Sequence, residues 1–275
     1  MQTRYTMAEK KKITLGTVIF YLIPLVALSA ALFFGYLFLK DYLQYKQAED
    51  EYENINTEYI KEVPDSSGDE SEEEDEGLSR LDYFPTLDID FEGLKSKNSD
   101  FACILYIPSI GIKYPVVYSK DNEDYLHRTF EGSYNFSGSI FYDYLCEKDF
   151  KGYNTFLYGH NMKNGSMFGK LKKLQDTAET KVNKYFYIYT EGKIMKYEIF
   201  SFYHTTVGSD AYSEVSDDKQ YDSYIKYCLR NSYFRGYKDE IDFTDRPKVV
   251  TLSTCTGPAG GTERFVVHGA LIAIK

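Results

Sequence analysis

Only four cysteines occur in the 275 residues, and none forms a CxxC pair or sits beside clustered histidines. A thiolate zinc site needs such spacing, so zinc is not expected. A disulfide framework also fits poorly, because a chain this long buries a core without covalent staples. The carboxylates show no metal-ligand spacing either, and neither metal nor other cofactor is expected. Positive charge is short as well: 32 Lys and Arg face 42 Asp and Glu, for a net charge of −10. The excess is local. Residues 1–81 hold 16 acidic and 8 basic side chains, leaving a net of −2 for residues 82–275. The remainder is nearly balanced and lacks the basic surface that nucleic-acid binding requires.

The first positive feature is an apolar run. Residues 13–39 carry no charge and are flanked by Lys10, Lys11, Lys12 and Lys40. About 20 apolar residues cross a bilayer as a helix. The basic cluster precedes the run, so residues 1–12 read as a cytoplasmic tail, 13–39 as a single transmembrane helix, and the rest as extracellular. A cleaved signal peptide is the alternative, since Ala27-Leu28-Ser29 and Ser29-Ala30-Ala31 offer small residues. Residues 40–80 read as a helical stalk over 41–60 followed by an acidic linker, PDSSGDESEEEDEG, over 64–77. That linker has too little apolar surface to offset the entropy of ordering it. On this reading the anchor and the acidic linker contribute no core, removal of residues 1–80 leaves a soluble active domain, and the folded domain occupies 81–275; packing of the 41–60 helix on the barrel is left open by the sequence.

From residue 81 the pattern changes to short runs rich in Tyr, Phe, Ile and Val, separated by Gly, Asn, Asp and Pro. The runs predict strands over 101–107, 113–117, 139–143, 155–158, 184–189, 193–203, 248–253 and 264–274. Eight short strands at this spacing point to a mainly β barrel or sandwich. Helical intervals are predicted at 167–175 and 221–230, the second inside a long connection from about 208 to 247.

The segment RPKVVTLSTC (246–255) places Cys255 at the exit of a buried strand, before the glycine-rich TGPAGGT. A thiol there is anchored by a rigid element and open to a substrate. Gly159-His160-Asn161 follows a second strand, and Arg264 opens the last one. Positions this far apart around a turn return to one end of an antiparallel pair, so thiol, imidazole and guanidinium can share a rim. The thiolate is the nucleophile, an imidazole moves the proton, and a guanidinium supplies fixed donors. Cys103 and Cys228 read as packing residues, and so does His268 between apolar neighbours. His127 and His204 read as surface or packing residues. Asp143 and Glu263 read as solvated.

TLSTC (251–255), the later Arg264 and YGHNMKNGSMF (158–168) together resemble the sortases, specifically class B. YIPSIGIKYPVV (106–117), DNEDYL (121–126), GSIFYD (138–143), RFVVHGALI (264–272) and the helical insertion before TLSTC extend the similarity. The resemblance implies an eight-stranded sortase-type barrel with peripheral helices, behind one transmembrane helix. It implies a cysteine transpeptidase of the cell membrane that cuts a C-terminal sorting signal after Thr. Surface proteins with an NPxTx- or S/PPxTx-like signal would be the substrates, and an amine of the peptidoglycan precursor the acceptor. By motif, Cys255 is the nucleophile, His160 the acid/base and Arg264 the electrostatic partner. Ser253, Asn122, Leu126 and Tyr158 would contact substrate, and Tyr212 is a further groove candidate. TGPAGGTE (256–263) departs from the more polar, helical stretch of some class B members. Three alternatives stand beside this: a pilin polymerase with a lysine acceptor, a hydrolytic cysteine peptidase, and an inactive adhesion module.

Overall fold

The computed structural model describes residues 15–63, 83–175, 184–233, 241–256 and 261–275, with the backbone alone at Thr17 and Cys255. The Lys10–Lys12 cluster, the acidic stretch 64–77 and the glycine-rich residues 257–260 lie outside the described residues.

The first element, α1 (Leu15–Tyr59), is 45 residues long and includes Pro24. It is the one described helix long and apolar enough to cross a membrane. Its N-terminal side chains are apolar all round and exposed, Phe20 and Phe38 at 71% and 75%. Such a surface suits an apolar environment. The polar end differs. Ala48, Tyr52, Ile55 and Tyr59 are buried, at the i, i+4, i+7, i+11 spacing of one helix face. The compact unit accordingly runs Gln47–Lys275. A start at residue 81 leaves this packing out: the 41–60 helix, left open by the sequence, buries the face at 48, 52, 55 and 59 in the compact unit. After α1 the chain forms β1 (Ile60–Glu62), which pairs antiparallel with β2 (Leu87–Ile89). Asp90 then caps α2 (Phe91–Lys97) by accepting from Gly93 N.

The remaining strands are β3 (Phe101–Ile107), β4 (Ile112–Val117), β5 (Ile140–Tyr142), β6 (Asn154–Tyr158), β7 (Tyr185–Thr190), β8 (Lys193–Thr206), β9 (Val249–Cys255) and β10 (Glu263–Ile274). They close into a barrel in the order β10-β8-β7-β3-β4-β5-β6-β9. The β4–β5 and β6–β9 pairs are parallel and the other pairs antiparallel. All eight barrel strands coincide with the apolar runs of the sequence, within a few residues at each end.

The connection from β8 to β9 carries α3 (Asp218–Asn231). Asp217 caps it by accepting from Gln220 N at 2.8 Å, with Asp218 in the first turn and Arg230 in the last. Tyr221, Tyr224, Ile225 and Cys228 form its buried stripe against Phe200, Val249 and Ala270 of β8, β9 and β10. The interval after the GHN segment is a 3-10 helix, Phe168–Gln175, rather than an α-helix.

Candidate active site

The barrel register assembles one rim. β6 and β9 run parallel with Tyr158 opposite Ser253, so both exit at the same end. β10 returns antiparallel to β9 with Arg264 opposite Cys255. The exits of β6 and β9 and the entry of β10 therefore lie together, bearing His160, Cys255 and Arg264. Gly159 N donates to the Ser253 carbonyl at 3.2 Å, which ties the His160 turn to β9 two residues before Cys255. A Cβ at Gly159 would run into Ile140 and Phe168, so the turn packs this closely only with glycine.

His160 is held by backbone. Its Nε2 lies 2.7 Å from the Leu126 carbonyl oxygen. A carbonyl only accepts, so the proton sits on Nε2 and Nδ1 keeps its lone pair while the ring is neutral. Burial pulls the imidazole below its ordinary value; the Leu126 carbonyl opposes that shift and the neighbouring His127 adds to it. His127 is exposed, as expected for a surface residue, yet its ring stacks on His160 at 6.1 Å and 21°. The Arg264 Nη1 donates to the carbonyls of Gly261 and Glu263, both at 2.8 Å. These bonds hold the guanidinium beside the strand entry.

Three of the four expected substrate contacts are linked to one another. Tyr158 donates its hydroxyl to Asp143 Oδ2 at 2.8 Å, and Asn122 Nδ2 donates to Asp143 Oδ1 at 3.0 Å. Asn122 Oδ1 in turn accepts from Tyr144 N at 3.1 Å. Ser253 joins through its register with Tyr158 and also hydrogen-bonds Tyr212, Oγ to hydroxyl, at 2.7 Å. Leu126 takes part through its carbonyl on His160. Asp143 corrects the sequence reading: it is buried and accepts from Tyr158, Asn122 and Leu145 N, so it is a structural hub and not a solvated carboxylate. Glu263 is exposed, as expected. Tyr212 comes from the 3-10 turn Asp210–Tyr212 of the long connection, so that insertion reaches the site directly.

Of the other candidates, His268, Cys103 and Cys228 are buried, while His204 is exposed and Cys146 half-buried. His268 is fully buried, with Nδ1 at 2.8 Å from Thr251 Oγ1 and Nε2 at 3.1 Å from the Tyr203 hydroxyl. His204 packs on Phe265 and Tyr233. Cys103 and Cys228 are buried. Burial pushes the Cys228 and Cys146 thiols up to about 12, and Cys103 higher still. A thiol kept protonated is a poor nucleophile, and these three offer none near neutral pH. Among the described residues no group of three or more His, Cys, Asp or Glu is placed to hold a metal.

Comparison with known proteins agrees with this geometry. The sortase domain family matches residues 105–272. Sortase B of Listeria monocytogenes is 33% identical over 183 residues, covering 65% of this chain and 72% of that protein. The Clostridium perfringens sortase B structure is 32% identical with a TM-score of 0.61, covering 67% of this chain and all of that one. The Bacillus anthracis sortase B structure is 29% identical with a TM-score of 0.66, covering 84% and 98%. A strand-end cysteine, an imidazole and a guanidinium on one rim of an eight-stranded barrel thus coincide with a family match over most of the compact unit. The chain belongs to the sortase family, is of the sortase B type, and is a cysteine transpeptidase.

Proposed function

We propose that this transpeptidase cleaves a C-terminal sorting signal after its Thr and joins that Thr to an amine of a peptidoglycan precursor. Cys255 is the nucleophile, His160 the acid/base and Arg264 the electrostatic partner. The observation that carries this reading is the register placing Cys255 opposite Arg264, beside the exit of β6. His160, neutral with its proton on Nε2, takes the Cys255 thiol proton on Nδ1 as sulfur attacks the Thr carbonyl carbon. The C–S bond forms, the oxyanion rests on donors of Arg264, and the C–N bond breaks as Nδ1–H passes its proton to the departing amine. The acceptor amine then attacks the thioester and gives a proton to Nδ1, and the C–S bond breaks as Nδ1–H passes that proton to sulfur, which restores the thiol and the neutral imidazole. A planar guanidinium suits the oxyanion better than a single ammonium does.

Residues 13–39 serve as an uncleaved membrane anchor, with the N-terminus cytoplasmic and the barrel outside. The long exposed apolar helix supports the membrane reading, and the Lys10–Lys12 cluster supports the orientation. A cleaved signal is the alternative. For substrate choice, Tyr212 on Ser253 supports a groove wall built by the insertion before β9. We infer an NPxTx- or S/PPxTx-like pentapeptide over LPxTG, with Ser253, Asn122, Leu126 and Tyr158 along the groove. A site that hydrogen-bonds a hydroxyl rejects analogues lacking it by a large factor, roughly 10⁴-fold or more. Competitive cleavage of matched peptides is expected to favour the first two signals and to fail on Thr→Val. Product analysis with glycine-based and lysine-based amines separates wall anchoring from pilin polymerisation and from hydrolysis. A preference for LPxTG, or indifference to Thr→Val, defeats the groove assignment.

A further inference from the structure

We propose that the last turns of α1 position His160, with Tyr52 as the positioning residue. The proposal rests on reading His160 as the acid/base, and it starts from the carbonyl that fixes its tautomer. The Leu126 carbonyl belongs to the 3-10 turn Asp124–Leu126, and the chain from this turn loops back to Ser139 ahead of β5. Gly138 lies directly against that turn. Its φ is +59°, and a Cβ there would stand 2.6 and 2.7 Å from the Tyr125 and Leu126 carbonyl oxygens. Backbone thus meets backbone, and a shift at Gly138 is transmitted to the acceptor of His160.

Tyr52 holds Gly138 in place. Its hydroxyl donates to the Gly138 carbonyl at 2.9 Å, with Ser139 Oγ at 3.2 Å. Ser139 fastens the same turn from the other side, N to the Tyr125 carbonyl at 3.0 Å and Oγ to the Arg128 carbonyl at 2.8 Å. The helix grips the loop a second time through Glu51, whose Oε1 accepts from Glu131 N at 2.8 Å. A separate arm starts at the Tyr52 ring, which meets Tyr114 edge-on at 5.2 Å and 89°. The Tyr114 hydroxyl accepts from Met167 N at 3.1 Å, and Phe168 N donates to the His160 carbonyl at 2.9 Å. One buried side chain, 5% exposed, therefore supports both the ring partner and the backbone of His160. Removal of its hydroxyl leaves a buried carbonyl short of a donor and loosens the turn. Small displacements of a positioned proton carrier are costly in rate.

The test uses the full chain in detergent micelles, with Tyr52→Phe and Ile55→Val compared. Ile55 is 2% exposed on the same helix and has no hydrogen-bonding side chain, so its variant reports packing alone. Histidine-selective ¹⁵N labelling reads the Nε2–H of His160, one of only four histidines. Turnover of a sorting peptide gives kcat, KM and the pH profile. Tyr52→Phe is expected to speed exchange of that proton, shift its resonance, move the acid limb of the profile and lower kcat about tenfold with KM unchanged. Ile55→Val is expected to lower the Tm and leave the resonance and the pH profile in place. Ser139→Ala, which removes one of the two oxygens facing the Tyr52 hydroxyl, is expected to move the resonance the same way, and it serves if Tyr52→Phe does not fold. An unmoved resonance and profile in Tyr52→Phe, with only the Tm reduced, overturns the proposal. Normal turnover in His160→Ala overturns the acid/base role instead, and the ring-proton signal then decides the tether alone.

Discussion

His268 shows at residue scale how far burial separates two histidines of one barrel. Desolvation drives its imidazole down to about 3. Between that value and the ordinary 6.5 the folded chain keeps the ring neutral, while the unfolded chain binds a proton. The stability so contributed is fully present above about 6.5 and is lost as the pH falls toward about 3, at about 1.4 kcal/mol per pH unit. His160 is held down for the same reason and adds in the same direction. His268→Gln is expected to lose roughly 1–3 kcal/mol at pH 7.5, because it cannot reproduce the contacts to the Thr251, Tyr203 and Tyr224 hydroxyls. Its stability is also expected to fall less steeply than wild type between pH 6.5 and 4.5. Urea denaturation at several pH values checks this, and parallel slopes contradict it. The packing role of His268 was legible from its apolar neighbours. The Leu126 carbonyl was not, because a backbone acceptor leaves no mark in side-chain identity. The burial of Asp143 was equally hidden, since both of its side-chain donors, Asn122 and Tyr158, come from distant positions in the chain.

At the scale of elements, α1 is where sequence and structure part. Its helicity over 41–60 follows from a stretch without Gly or Pro, but the charged residues mask an apolar face at 48, 52, 55 and 59. β1 and β2 were not legible: each is three residues long and exists because the end of α1 brings Ile60 opposite Ile89. The barrel strands read clearly because each is a short apolar run between turn residues. Two burials among them ran against composition, both in β8: Lys196 is fully buried with its ammonium 4.0 Å over the Tyr185 ring, and Glu198 is buried with Lys184 at 3.0 Å. For a truncation at residue 81, the loss of Tyr52, Ile55, Tyr59 and Ile60 removes about 1.5–3 kcal/mol of burial per side chain as an upper estimate. Set against a typical net stability of about 5–15 kcal/mol, that is a large share. A chain starting at Gln47 is therefore expected to unfold cooperatively. One starting at Leu81 is expected to be strongly destabilised and prone to aggregate. Thermal melting and size-exclusion chromatography of the pair decide it, and equal Tm values would show that the buried face of α1 is dispensable.

At the scale of the whole molecule, barrel closure brings together the groups proposed to react. Parallel β6 and β9 with antiparallel β10 put two strand exits and one strand entry at a single rim. That arrangement is a property of the barrel and not of any one motif, and it leaves Cys103 and Cys228 buried and Cys146 half-buried, all three with raised thiol pKa values. The reactivity of Cys255 is thus the central claim. It is tested most directly by incubating the full chain, in detergent, with a protein ending in an NPxTx- or S/PPxTx-like signal and no acceptor amine. Acid quenching, digestion and mass mapping then locate the acyl group. A substrate thioester ending in Thr is expected on the peptide that contains Cys255, with no adduct in Cys255→Ala. An adduct on Cys103, Cys146 or Cys228, or continued cleavage by Cys255→Ala, contradicts it.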